Sequence, residues 1–181
     1  MLFLLLYIFG VFVALIGAGW AAISDIRYLK IPNAVSVLGI AGFALSYIAV
    51  VLSGQDSVFS NLSGHLISAG IVFMITLILY VFKLFGAGDA KMASAYALWF
   101  SLYNLPGYLV IMTLIGGLLG VVSLIFKKAP VEKLEEKSVW IAGVRKGESS
   151  VPYGVAIAFS VVITFVTSGL LNIEVFRLFV E

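Results

Sequence analysis

The sequence contains no cysteine and a single histidine, and both shortages restrict its chemistry. Without cysteine, the chain has no disulfide, no iron–sulfur cluster and no zinc site built from thiolates. One histidine, His65, leaves too few nitrogen ligands for an ordinary zinc enzyme. We therefore expect the protein to work without a metal ion or any other cofactor.

Charged residues are also scarce, at 11% of the chain, whereas a soluble domain carries about 25%. Hydrophobic residues make up 62% of the sequence, so most of the outer surface is expected to face lipid. The net charge of +2 is too small to indicate nucleic-acid binding. The composition predicts an integral membrane protein, and the length fits one domain over residues 1–181.

Long apolar runs, separated by short polar or turn-forming segments, divide the chain into six candidate membrane spans. A helix needs about 20 apolar residues to cross the hydrocarbon core. The fourth run is shorter, and its extension falls on Gly86 to Asp89 because Pro106 blocks its other end. The sequence thus predicts an all-α bundle of six transmembrane helices, from runs over roughly 2–23, 34–52, 65–82, 90–103, 108–126 and 151–171.

The basic residues orient this bundle, because lysine and arginine concentrate in cytoplasmic loops. Ten of the eleven basic residues fall near the first, third and fifth loops, and only Arg177 falls on the other side. Both termini are therefore expected on the outer side, with a cytoplasmic loop at about 127–150. That loop mixes basic and acidic residues, which predicts a solvated or interfacial hairpin with Trp140 at the lipid headgroups.

Only two of the nine acidic residues, Asp25 and Asp89, lie at the ends of predicted spans, and both lie on the cytoplasmic side. Ionisable groups at membrane depth normally face a bundle interior or a water-filled cavity. Two facing carboxylates can share a proton, activate a water and stabilise an oxyanion, as aspartic proteases require. The alternative is that Asp25 is a topological anchor beside Arg27.

Three segments, taken together, resemble the type IV prepilin peptidases, a family of Gly-x-Gly-Asp intramembrane aspartic proteases. They are residues 24–33 around Asp25, residues 85–92 around Asp89, and residues 151–160. The resemblance is closest to the short members found in tight-adherence (Flp) pilus systems. It implies that Asp25 and Asp89 are the catalytic aspartates and that the supporting motif residues are Gly86, Gly88, Lys91, Pro152, Tyr153 and Gly154.

The same resemblance implies an endopeptidase of the cytoplasmic (inner) membrane. Its partner would be a prepilin-like substrate with a short basic leader, cut after a glycine where the leader meets an apolar helix. Longer family members carry an N-terminal region with paired cysteines that is associated with N-methylation. That region is absent from this sequence, so we expect no methyltransferase activity.

Several roles remain open at this point. Gly86 and Gly88 let a neighbour approach Asp89 closely, or simply turn the chain. Lys91 either stabilises the ionised form of the pair or marks the membrane edge. Tyr153 either hydrogen-bonds within the site or belongs to the interfacial belt of aromatic residues.

Other positions have simpler structural interpretations. Pro32 and Asn33 are expected to turn the chain and cap the second helix. His65 begins the third span on the outer side, too far from the aspartates for a catalytic role.

Two functions of other classes also remain open. A proton- or cation-coupled carrier can use two membrane aspartates, but it would be expected to show inverted repeats and acidic residues near the midplane. Neither feature is evident in the sequence. A non-catalytic membrane assembly subunit would keep the spans without needing the aspartate pair.

The split of basic residues gives a topological prediction. Reporter fusions or labelling of single introduced cysteines should place residues near Lys30 and Lys137 inside, and those near Asp56 and Asn104 outside. Labelling of positions 56 and 137 from the same side would contradict the six-span arrangement.

Overall fold

The computed structural model describes residues 1–55, 57–128, 132–148 and 151–179, and every regular element within these ranges is a helix. The all-α prediction is confirmed, while Asp56 lies outside the described residues. In chain order the helices are α1 (Leu2–Tyr28), α2 (Asn33–Ser53), α3 (Leu62–Val81), α4 (Ala87–Ala97), α5 (Leu105–Phe126), α6 (Glu132–Glu135), α7 (Val139–Arg145), α8 (Tyr153–Thr167) and α9 (Ile173–Leu178).

Four helices, α1, α2, α3 and α5, are long and apolar enough to cross a membrane. They arise from the first, second, third and fifth apolar runs, so the chain is a multi-pass membrane protein. Helix α8 is apolar but has 15 residues, and α4 has only 11. Eleven residues extend about 16 Å, well short of the hydrocarbon core. The count of six spans and the side of the termini remain predictions.

Helix α4 ends at Ala97, whereas the sequence predicted a span that continues to Tyr103. Just beyond the helix, Trp99 turns into the core of the bundle. Its indole N–H donates to the carbonyl oxygen of Gly39 in α2 at 3.0 Å, and its ring centroid lies 4.9 Å from that of Phe165. These tertiary contacts take the place of a further helical turn.

His65 holds the same end of α4 in position. Its Nδ1 lies 2.8 Å from the carbonyl oxygen of Leu98, and its Nε2 lies 3.1 Å from Ser60 Oγ. The buried imidazole is surrounded by aromatic rings, with centroids 5.3 Å from Phe43 and 5.5 Å from Phe59. His65 therefore joins the start of α3 to the end of α4 as a structural residue.

Helix α4 lies at the centre of the bundle, in contact with α2, α3 and α8. Around it, α1 packs along α2 and also against α8, while α5 packs on α8. The α1–α2 contact is close, because a Cβ at Gly10 would lie 2.5 Å from the carbonyl oxygen of Gly42. Small residues of this kind let membrane helices approach backbone to backbone. In this bundle the first turn of α4 and the last turn of α1 border the same cavity.

The segment after α5 folds back onto the bundle. Trp140 is only 5% exposed, and its indole N–H donates to Ser123 Oγ in α5 at 3.2 Å. Ser138, at the start of α7, donates its hydroxyl to the carbonyl oxygen of Ile26 in α1 at 2.6 Å. Trp140 thus packs in a small apolar cluster with Phe126, where a hydroxyl accepts its N–H, and its position at the headgroups stays a prediction.

Replacing His65 with alanine should destabilise the fold without affecting the chemistry. The partly buried Leu98 carbonyl would lose its partner, at a cost of up to roughly 1–3 kcal/mol if it stays unsatisfied, and the buried ring would leave a cavity among Phe43 and Phe59. Thermal unfolding in detergent should show a lower midpoint, while the rate per folded molecule stays near that of the wild type.

Gly64→Ala is the matched control, because a Cβ there meets only Ser60 Oγ at an ordinary 3.6 Å. An unchanged midpoint for His65→Ala would contradict the structural role.

Candidate active site

Asp25 lies in the last turn of α1 and points into the bundle. Its side chain is buried, and Oδ2 accepts a hydrogen bond from the backbone N–H of Gly154 at 2.7 Å. The neighbouring Arg27 is exposed, and among the residues that the structure describes there is no ion pair between the two. An inward carboxylate bound by a backbone amide is not arranged like a topological anchor paired with Arg27.

Asp89 lies in the first turn of α4 and is half-buried. Its Oδ2 accepts a hydrogen bond from the backbone N–H of Gly86 at 3.1 Å. This is the acidic half of a capping box, in which a side chain at the third helical position bonds back to the N-cap amide. A carboxylate in this position is also stabilised by the positive end of the helix dipole.

The fold brings the two carboxylates to the same place. Asp25 and Asp89 both line two cavities, of about 610 Å³ and about 520 Å³, together with Leu29 and Gly86. Burial and the charge of Asp25 raise the pKa of Asp89, which lies outside the four spanning helices, to about 7, while the Gly86 N–H lowers it. Carboxylates that influence each other's ionisation titrate as a pair rather than independently.

The two cavities lie on different sides of the pair. The first extends from the aspartates along the α1–α2 connection, residues 28–33. The second extends toward residues 83–85 and the start of α8, with Val151 and Tyr153 in its wall. Within the described ranges, no three histidine, aspartate or glutamate side chains lie close enough together to hold a metal ion. The arrangement is that of two acid–base groups with space for a chain on either side.

Gly154 is packed tightly against two residues of the site. A Cβ there would lie 2.9 Å from Asp25 Oδ2 and 2.9 Å from Ile31 Cδ1. Gly88 is close to the same isoleucine, since a Cβ there would lie 3.3 Å from Ile31 Cβ. Ile31 is therefore placed between the two motif glycines. Nothing in the sequence distinguishes it from the other isoleucines of the chain.

Gly86 is required for space rather than for an unusual backbone conformation. Its φ is −78°, a value that any residue adopts, but a Cβ there would lie 2.5 Å from Asp89 Oδ2. Of the two interpretations left open by the sequence, the structure favours close approach to Asp89 over a plain turn.

Lys91 does not reach the aspartate pair. Its exposed ammonium donates to Asn33 Oδ1 at 3.1 Å, at the start of α2. Pro32 is the N-cap of α2 and Asn33 is its first residue, so the two residues begin the helix as expected, but the Asn33 side chain makes no cap hydrogen bond. Its amide oxygen is used for the lysine instead, which ties the first turn of α4 to α2.

Pro152 and Tyr153 position the first turn of α8. Pro152 is buried at the N-cap, and Tyr153 is the first helical residue. The Tyr153 ring lies edge-on to Phe85, with centroids 4.9 Å apart, and it packs so closely on α5 that a Cβ at Gly116 would lie 2.8 Å from it. The tyrosine is therefore a wall of the second cavity and fixes where Gly154 meets Asp25.

Two strained residues stand beside the pair. Leu29 (φ 49°) and Lys83 (φ 58°) are the non-glycine residues with left-handed backbone in the described part of the chain, and both line the second cavity. This conformation costs roughly 1–2 kcal/mol per residue. Such residues persist where the surrounding structure enforces them, and they concentrate at functional sites.

Replacing Gly154 with alanine should impair the site while leaving the bundle folded. The added methyl group would displace the Asp25 carboxylate or Ile31, and a misplacement of about 1 Å near reacting groups costs on the order of 10²-fold in rate. The turnover number for a prepilin-like substrate, measured beside the thermal midpoint, checks this.

Gly117→Ala in α5 is the control, because nothing lies within 4 Å of a Cβ there. Full turnover by Gly154→Ala would show that the close contact with Asp25 is not needed.

Comparison with known proteins now identifies the family. The sequence profile of the type IV leader peptidase family matches residues 12–121, which is more than half of the chain. No curated protein and no solved structure matches the chain. The matched range contains Asp25 and Asp89 and ends before Gly154, which the fold brings to the same site. The chain therefore belongs to the type IV leader peptidase family.

Proposed function

We propose that the protein is an intramembrane aspartic endopeptidase that removes the short basic leader from prepilin-like substrates at the cytoplasmic face of the inner membrane. The observation that carries this proposal is that Asp25 and Asp89, from two different helices, line the same two cavities. Membership of the leader peptidase family supplies the peptide substrate. In this proposal the two carboxylates carry out the hydrolysis.

Hydrolysis begins with one carboxylate ionised and the other protonated. The ionised aspartate removes a proton from a water molecule while the water oxygen bonds to the scissile carbonyl carbon. The protonated aspartate donates its hydrogen bond to the carbonyl oxygen as that oxygen gains negative charge. The carbon–nitrogen bond of the tetrahedral intermediate then breaks, and the amine leaves with a proton from the pair. The products are a carboxylic acid and an amine.

The glycine amides suit this cycle. Gly154 and Gly86 each hold one oxygen of Asp25 and Asp89, respectively, which leaves the other oxygen of each carboxylate for the water and the shared proton. The amides also restrict the rotation of both side chains, so that the carboxylates do not have to be ordered when substrate binds. We assign neither aspartate a fixed role, because the pair exchanges its proton during the cycle.

The position of the pair fits a cut at the boundary between a leader and a membrane helix. Asp25 lies in the last turn of the membrane-spanning helix α1, and Asp89 in the first turn of the short helix α4. The basic residues of the sequence favour the cytoplasmic side for this end of the bundle. We also propose, from the three resembling segments, that the substrates are of the tight-adherence (Flp) type.

Asp25→Asn and Asp89→Asn should each reduce cleavage by roughly 10²–10⁴-fold, because asparagine keeps the shape of the side chain but cannot exchange the proton. The test incubates each purified variant with a prepilin-like substrate in liposomes and follows the loss of the leader. Both variants should insert and fold as the wild type does. Asp56→Asn is the matched control, since this aspartate belongs to the predicted outer loop.

Substantial turnover by either active-site variant would exclude the paired mechanism. A wild-type protein that binds the substrate without cutting it would instead favour the assembly subunit. Proton uptake into liposomes that depends on Asp25 and Asp89, in the absence of cleavage, would favour the carrier.

A further inference from the structure

We propose that the apolar helix of the substrate lies in a groove between α2, α3 and α4, and that its leader extends past the aspartates into the second cavity. The groove is lined by one face of α2 from Asn33 to Ile40, by α3 from Ala69 to Phe73, and by α4 from Lys91 to Leu98. This inference rests on the proposed function and gives the substrate a direction across the site.

The groove lies along α4, between α2 and α3. Helices α2 and α3 both pack against α4 but scarcely touch each other, so a space of about 590 Å³ remains between them. Its polar groups gather at one end, where Lys91 donates to Asn33. Further along, Ser94 donates its hydroxyl to the carbonyl oxygen of Ala90 in its own helix, at 2.7 Å. The rest of the groove offers apolar surface.

The polar end of the groove opens toward the aspartates. Asn33 lines both the groove and the first cavity, and the first cavity contains Asp25 and Asp89. Lys91 follows Asp89 by two residues, about 3 Å along the helix axis. The second cavity continues on the far side of the pair. The groove meets the first cavity at Asn33, and the two cavities meet at the aspartates, so we take the three as one path from the apolar flank of the bundle past both carboxylates.

The lining suits a helix better than a lipid chain. Ala69, Gly70 and Ala95 are small, and small residues let a second helix approach backbone to backbone. A Cβ at Gly70 would meet nothing within 4 Å, so that approach is open. A flexible lipid chain does not need small residues in the groove, because it packs equally well against larger side chains. The small residues therefore favour a helix as the occupant.

The direction of the substrate across the site follows from the position of the groove and not from the charges of the two cavities. Each cavity carries one lysine beyond the aspartates, Lys30 in the first and Lys83 in the second, so neither attracts a basic leader more than the other. Only the first cavity continues into apolar surface at Asn33. A substrate cut where its apolar helix ends must therefore enter from the groove, and its leader must pass to the second cavity.

Site-specific photo-crosslinking tests the path. Benzoylphenylalanine replaces Val37 in the groove or Leu84 in the second cavity, in an Asp89→Asn chain reconstituted with a peptide that joins a basic leader to an apolar helix. The controls lie in α5 and are matched by exposure. Leu118 is 62% exposed, as is Val37, and Leu114 is 67% exposed, close to the 68% of Leu84.

Position 37 should capture the apolar segment and position 84 the leader, both above their controls. Capture of lipid alone at position 37, or of the leader there, would overturn the proposal.

Kinetics provides a second test. Gly70→Phe fills the groove and should raise KM for the helix-bearing substrate by about tenfold with kcat little changed, because it removes binding that is equal in ground and transition states. Gly117→Phe in α5 is the matched control, since a Cβ at either glycine meets nothing within 4 Å. Equal KM values for the two variants would exclude the groove. A wild type that cleaves nothing would instead refute the proposed function.

Discussion

The candidate site depends on one contact, between the last turn of α1 and the first turn of α8. There the Gly154 N–H donates to Asp25 Oδ2 across 129 residues of sequence. A buried carboxylate is costly unless it is hydrogen-bonded, and the end of α1, with its negative dipole, does not stabilise it. The amide at the positive N-terminal end of α8 provides the hydrogen bond and the favourable dipole that α1 lacks. The contact leaves no room for a side chain at position 154, and the packing of Pro152 and Tyr153 fixes the approach of α8.

The shortness of α4 determines the rest of the site. At one end of this helix, Trp99 and the imidazole of His65 hold the chain against α2 and α3. At the other end, the Asp89 carboxylate closes the first turn on the Gly86 amide. A helix fixed at both ends by polar contacts does not need the full thickness of the bilayer to be stable. Its first turn borders the same cavity as the last turn of α1, and its length lies between α2 and α3.

Hydropathy alone identified the four long helices, because a span in lipid must satisfy its backbone internally and must be apolar along its length. The scarcity of acidic residues singled out Asp25 and Asp89, and two intervening apolar runs placed them on one face of the bundle. The end of α4 was not predictable, since the apolar residues after Ala97 continue the hydropathy of a span. The helix ends where the tertiary contacts of Trp99 and of the Leu98 carbonyl begin. Ile31 and the buried Trp140 were missed for a similar reason, because their partners are distant in sequence and carry no local signal.

Peptide hydrolysis by a membrane protein needs water and charged groups at the edge of the hydrocarbon core, which excludes both. Asp25 and Asp89 each have one backbone amide on Oδ2, which offsets part of the cost of an ionised carboxylate. Two such charges lining the same cavities remain unfavourable together, which favours one proton on the pair. A pair with one proton contains both the base that activates water and the acid that stabilises the oxyanion. The incomplete compensation of charge at this end of the bundle is therefore what the proposed proteolysis would use.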